Sequence, residues 1–181
     1  MKISTLRFGE LEISDEEVIT FPEGILGFQT VQRYCLVDQG DDTLILWLQA
    51  IDDPSIAFPV LEPKIFKDDY VVKLSAQELK QLRLESVNQS IVFSILTIPR
   101  DVTQMTANVK APIVINLRDH FGKQVVLQEN EYTIKHPMFI ELKRHLTTIS
   151  ANKPKTEGAR APATLPVNLR SMLPSNQIRL L

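Results

Sequence analysis

The chain has 181 residues, 44% of them hydrophobic, and a net charge of −2. That suits one domain with a tail and enough apolar surface to bury a core, while the charge argues neither for nor against a nucleic-acid partner. A single cysteine, Cys35, excludes an internal disulfide, and the absence of about 18 consecutive apolar residues excludes a helical membrane span.

Cys35 lies in the apolar run Tyr34, Leu36, Val37, the setting of a buried, reduced thiol rather than a reactive one. Lys2 is followed by alternating residues and not by the apolar stretch of a signal peptide, so a cytoplasmic location is expected. Charge is unevenly placed. Residues 1–62 hold twelve acids and three bases, and the remainder holds ten acids and seventeen bases. An acidic half repels phosphate and attracts basic protein surfaces, or it is simply a solvated face.

Strand signals dominate from the start of the chain. Ile3 to Phe8 is β-prone, and Val18 to Phe21 is a short apolar run closed by Pro22 and Gly24. Between Gly24 and Gly27, Ile25 and Leu26 form a turn that is either an exposed apolar tip or a core plug. Strands are predicted over Tyr34 to Val37, Leu44 to Leu48 and Ile56 to Leu61, separated by turn-rich pieces. Pro59 suggests an edge or a bulge in the last of these.

A helix is predicted after Ser75, because Ser75-Ala76-Gln77-Glu78 is a capping box that leads into Leu79, Leu82 and Leu84. Strands follow over Ile91 to Ile98, Ile113 to Leu117, Val125 to Leu127 and Tyr132 to Ile134. A second helix begins after Pro137, with Phe139, Leu142 and Leu146 on one side. Short strands at this spacing imply a barrel or a sandwich, since closure removes exposed edges. Residues 1–149 form this domain. Residues 150–163 lack large apolar side chains and read as a flexible linker, and apolar residues return over 164–181.

Catalytic and cofactor chemistry finds little support. His120, His136 and His145 offer no i, i+4 pair for zinc, and one cysteine makes no thiolate site, so no metal and no cofactor is expected. The six glycines form neither GxxxxGK nor GxGxxG. Asp52-Asp53 and Asp68-Asp69 are acid pairs at turns, where such residues are usually inert. Aromatics are not interleaved with Lys and Arg as in single-strand nucleic-acid platforms. A non-enzymatic binding protein is expected. The rival readings are a small-barrel flavin- or ligand-binding module and a single-strand nucleic-acid binder.

Three segments carry a resemblance. FPEGILGF (21–28), LWLQAIDDPSIAFPV (46–60) and MTANVKAPIVIN (105–116), the last followed by GKQVVL (122–127), resemble the FliW family of flagellar assembly factors in kind and order. The resemblance covers roughly residues 1–140. It implies a small, strongly bent, mainly β antiparallel barrel with one or two peripheral helices, to which the sequence adds a C-terminal tail over residues 150–181. It implies two protein partners: flagellin, through its C-terminal region, and the translational regulator CsrA, which the protein holds off the flagellin message until flagellin displaces it. No direct nucleic-acid contact and no membrane contact is implied. Candidate partner-binding residues are Ile25, Leu26 and Phe28 in the first motif, Gln49 and Asp52 in the second, and Met105, Thr106, Asn108 and Val109 in the third. The third motif is either a loop pinned by local Thr and Asn hydrogen bonds or one that presents Met105 and Val109 to a partner. The tail SMLPSNQIRLL (171–181) is similar to a flagellin C-terminus, which raises two readings. It occupies the flagellin groove in cis or on a neighbouring copy, giving self-association, or it packs on the barrel for stability.

Overall fold

The structure, a computed structural model, describes residues 1–40, 44–151 and 163–164. Expectations for the linker and tail over 152–162 and 165–181 lie outside the described residues.

The chain opens with a hairpin of β1 (Lys2–Thr5) and β2 (Gly9–Glu12). Seven further strands close into a barrel: β3 (Ile19–Thr20), β4 (Arg33–Asp38), β5 (Leu46–Ala50), β6 (Ala57–Leu61), β7 (Ile91–Thr97), β9 (Ile113–Asn116) and β10 (Phe121–Gln124). Their order is β7-β6-β5-β4-β3-β10-β9, and β9 pairs back onto β7 through Ile91, Val92 and Phe93. Short β8 (Thr106–Ala107) extends from the far end of β7 and carries β11 (His136–Pro137). Two α-helices lie outside the barrel among the described residues, α1 (Ala76–Gln81) and α2 (Phe139–Ala151). The mainly β barrel with peripheral helices is thus as the sequence implies. One pairing departs from the antiparallel rule, because β10 meets β3 in parallel at Phe121 and Thr20.

Strands that read as continuous apolar runs do so because both faces are covered. Inside the barrel, Tyr34, Leu36, Leu46, Leu48, Phe93, Ile113 and Ile115 pack with Phe21 and Ile25. Outside β4 and β5, the alternate residues Cys35, Val37 and Trp47 are roofed by Ile3, Leu11 and Ile13 of the N-terminal segment. Outside β6, β7 and β9, residues Leu61, Leu96 and Val114 are covered by Phe66, Tyr70, Leu82, Val125, Tyr132 and Leu142. One glycine is a packing device. A Cβ on Gly122 would stand 2.3–2.6 Å from ring atoms of Phe21, so the missing side chain is the space the ring fills where β10 meets β3.

Several local expectations change. Val125 to Leu127 and Tyr132 to Ile134 are not strands. Val125 and Leu127 are buried and Val126 is exposed, so the strand-like alternation is real. Their N–H groups donate to the Pro112 and Lys110 carbonyls as isolated bonds (3.0 and 2.9 Å), because Pro112 has no N–H to return. β2 and β10 were not anticipated, being rich in Gly, Glu, Gln and Lys. β6 is not an edge strand: it lies between β5 and β7, and its pairing with β7 begins only at Val60, just past Pro59. The Ser75 capping box is present, Ser75 Oγ accepting from Glu78 N at 3.3 Å and Glu78 Oε2 from Ser75 N at 2.7 Å.

Candidate functional site

The first motif folds as a tight turn that only glycine permits. Gly24 has φ +65°, and a Cβ there would lie 2.6 Å from Gln29 Cα; Gly27 has φ +86°. Phe28 N donates to Ile25 O at 2.7 Å and closes the turn. This geometry separates neighbouring side chains. Ile25 points into the barrel and is 1% exposed, whereas Leu26 and Phe28 stand at the surface, 56% and 38% exposed. Of the two readings of the turn, each therefore describes part of it: Ile25 is the plug and Leu26 with Phe28 is the tip.

The tip is tied to both other motifs. The Phe28 ring meets Phe58 of the second motif edge-on at 5.1 Å, and Phe58 leads inward to Tyr34 (6.4 Å) and Phe21. Leu26 N donates to Gln124 Oε1 at 2.9 Å, and Gln124 Nε2 donates to Ala111 O of the third motif at 3.0 Å. Gln124 is a side-chain clip that sequence reasoning missed. Its signal, the polar residue inside GKQVVL, carries no meaning until β10 is placed. Below the turn, Lys123 Nζ pairs with Glu23 at 2.6 Å, and Gln81 Nε2 donates to the same carboxylate at 3.0 Å.

The second motif is a braced loop. Gln49 is fully buried, and its amide donates to the Ala50 and Ile56 carbonyls at 2.9 and 3.0 Å, which fixes residues 50–56 from beneath. Gln49 is thus a loop support whose side chain does not reach the surface. Asp52 is half-exposed and pairs with Arg33, whose Nε donates to Oδ2 at 3.0 Å; this bond holds the Asp52 carboxyl below its ordinary range. Asp53 is likewise lowered by the Ser55 hydroxyl and backbone N–H. Both acids therefore keep their charge at neutral pH. Burial pushes the Tyr34 hydroxyl up to about 12, with the Asp53 charge as a lesser cause.

The third motif is pinned rather than presented. Met105 is 6% exposed and Val109 fully buried, both in the outer core cluster. This corrects the reading in which their side chains face a partner. Pinning is extensive: Asn108 Oδ1 accepts from Ala111 N (2.9 Å), Asn108 N donates to Ile95 O (2.9 Å), and Tyr70 Oη donates to Val109 O (2.7 Å). Thr106 pairs in β8 between Thr97 and Pro137. The physical reason is that β8 leaves the end of β7 and Met138 N donates to Met105 O at 3.3 Å, so Met105 and Val109 pack in one cluster with Met138 and Leu142. The nine candidates thus separate, with Ile25, Leu26 and Phe28 at one turn of the barrel and Met105 and Val109 in a different core cluster.

Among the described residues, no group of three His, Cys, Asp or Glu is placed to hold a metal ion, and no helix is long and apolar enough to cross a membrane.

Comparison with known proteins agrees with the fold. The family model described as FliW protein matches residues 2–138. A flagellar assembly factor FliW of Bdellovibrio bacteriovorus is 43% identical over 146 residues, covering 81% of this chain and 83% of that one. A flagellar assembly factor FliW of Thermoanaerobacter pseudethanolicus is 41% identical over 144 residues, covering 79% and 96%. A crystal structure of the flagellar assembly factor FliW superimposes with a TM-score of 0.71 at 32% identity, covering 76% of this chain and 96% of that one. With a family model spanning most of the barrel and two such relatives, this chain belongs to the FliW family of flagellar assembly factors.

Proposed function

We propose that this protein works in the cytoplasm by partner exchange and without catalysis: it binds flagellin through the filament subunit's C-terminal region, and it binds CsrA when flagellin is scarce. The observation that carries the reading is the tip of the first motif. Leu26 and Phe28 are large, apolar and exposed, on a turn held by two positive-φ glycines, the Gln124 clip and the Phe58 ring. A rigid apolar tip suits an amphipathic helix, since little ordering entropy is lost on docking. The acid-rich N-terminal third supports the second partner, because an RNA-binding regulator is basic and an acidic surface speeds and orients its encounter.

Calorimetric titration with the C-terminal segment of flagellin tests the first half. Leu26→Glu and Phe28→Glu are expected to weaken binding by roughly tenfold or more, the scale of an interfacial apolar anchor. A flat titration with the unaltered chain, or unchanged affinity in both variants, overturns the reading. For the second half, capture of CsrA is expected to weaken with salt, and capture that is indifferent to salt removes the charge argument.

A further inference from the structure

Strand β4 has more partner length on one side than on the other. On one edge, β5 pairs with Tyr34 through Val37. On the opposite edge, β3 pairs only with Arg33 and Tyr34. Past Tyr34 the β3-side edge would present unpaired backbone groups, and such an edge is a template for another strand. The chain fills it from far away in sequence. Strand β12 (Ala163–Thr164) lies antiparallel there, Thr164 opposite Val37 and Ala163 opposite Asp38. Because Val37 already faces Trp47 of β5, Thr164 can only be on the β3 side.

This strand lies beyond the residues that the family model matches. The family match ends at residue 138. The extension and the strand β2 it meets are opposite in charge by sequence. Residues 152–181 carry five bases and one acid, and β12 lies against β2, where Glu10 and Glu12 are exposed. Reach is sufficient as well. Eleven residues lie between Ala151 and Ala163, and the twelve Cα–Cα steps span up to about 40 Å. A body of about 150 residues has a radius of gyration on the order of 15 Å.

We propose that the β4 edge at Val37–Asp38 is a strand-docking site and that its occupant is the chain's own C-terminal extension, added in cis through Ala163–Thr164 and steered by basic charge against the acidic hairpin. The edge is thereby blunted against other extended chains. The inference does not depend on which partners the tip of the first motif binds.

Disulfide trapping in the full chain tests it. Asp38→Cys is combined in turn with Glu157→Cys, Arg160→Cys, Ala163→Cys and Pro166→Cys. Directly opposed residues of an antiparallel pair have Cα atoms about 4.5–5.5 Å apart, inside the roughly 4.4–6.8 Å that a disulfide accepts. The native thiol does not compete, since Cys35 is buried. Cross-linking within one chain is expected to be roughly tenfold faster at position 163 than at the other three, and slower in high salt. Equal rates at all four positions overturn register-specific docking. A cross-linked dimer overturns the cis assignment in favour of a second copy. Hydrogen exchange gives a readout without new cysteines: the Ala163→Pro, Thr164→Pro chain is expected to exchange faster over Val37–Asp38 alone, and unchanged exchange there also overturns the proposal.

Discussion

Gly122→Ala adds one methyl group to a strand of the barrel, and on intrinsic grounds it should help. Replacing glycine where φ is ordinary stabilises by roughly 0.4–1 kcal/mol, through loss of unfolded-state freedom. Packing opposes it. The new Cβ would lie 2.3, 2.5 and 2.6 Å from three Phe21 ring carbons, where carbon pairs settle at about 3.5–4 Å. The ring has little room to retreat, being fully buried and held edge-on against Tyr34 at 5.2 Å. Overpacking of this kind costs about 1–3 kcal/mol. The packing cost wins, and a net loss of about 1–2 kcal/mol is expected, or roughly 2–8 °C in Tm for a chain of this size.

A double-mutant cycle separates this cause from a general intolerance of the strand. Phe21→Leu alone loses buried area and is also destabilising. Combined with Gly122→Ala, the smaller side chain leaves room for the methyl group. The double variant should then be more stable than the sum of the two losses by about 1 kcal/mol or more. Urea unfolding at fixed pH, with slopes compared to confirm an unchanged unfolding transition, supplies the four numbers. Losses that simply add, or a Gly122→Ala protein as stable as the parent, would refute the account of how β10 closes on β3.

Met105→Glu places a charge inside the outer core cluster and should cost on the order of 3–5 kcal/mol, whereas Leu26→Glu at the exposed tip should stay within about 0.5 kcal/mol; thermal melts that rank the two the other way would reverse their assignment as core and surface. Burial pushes the Cys35 thiol up to about 12, with Glu17 as a lesser cause. The unfolded chain therefore loses this proton at a lower pH than the folded one, so stability falls as pH rises from about 9 toward 12, by at most about 1.4 kcal/mol per unit. Urea midpoints between pH 8 and 10 should drop less in Cys35→Ala than in the parent, and identical drops would show that the thiol is not the cause.

The barrel was legible where strands are apolar on both faces. Leu46–Ala50 and Ile113–Asn116 are buried throughout, because a second layer covers their outer side. Strands written in other letters were hidden. Phe121–Gln124 contains Gly, Lys and Gln, and each has a reason that only pairing reveals: Gly122 yields to Phe21, Lys123 meets Glu23, and Gln124 clips the first motif to the third. The two helices were readable from local chemistry, the Ser75 capping box above all. For the candidate site, motif recognition found the right segments but could not assign faces. Residue spacing in a turn with φ > 0 at Gly24 and Gly27 does not say that Ile25 goes in while Leu26 goes out.

That division of faces has a consequence for how the protein can recognise partners. The second and third motifs spend their polar groups on their own backbone, Gln49 on the 50–56 loop and Asn108 on Ala111. Groups already committed this way offer a partner few free hydrogen bonds. The first motif differs because its backbone is satisfied by the Gln124 clip and the turn closure, which leaves two apolar side chains with no internal role beyond the Phe58 contact. Recognition by apolar contact on a rigid turn tolerates variation in the partner's polar residues and demands only an apolar stripe, read at helical spacing. Charge then supplies what the tip lacks. Residues 1–62 hold twelve acids against three bases, which makes this third negative at neutral pH. Under the proposed function, one small barrel would tell two partners apart by chemistry: one engaged through apolar fit and indifferent to salt, the other through charge and released by it.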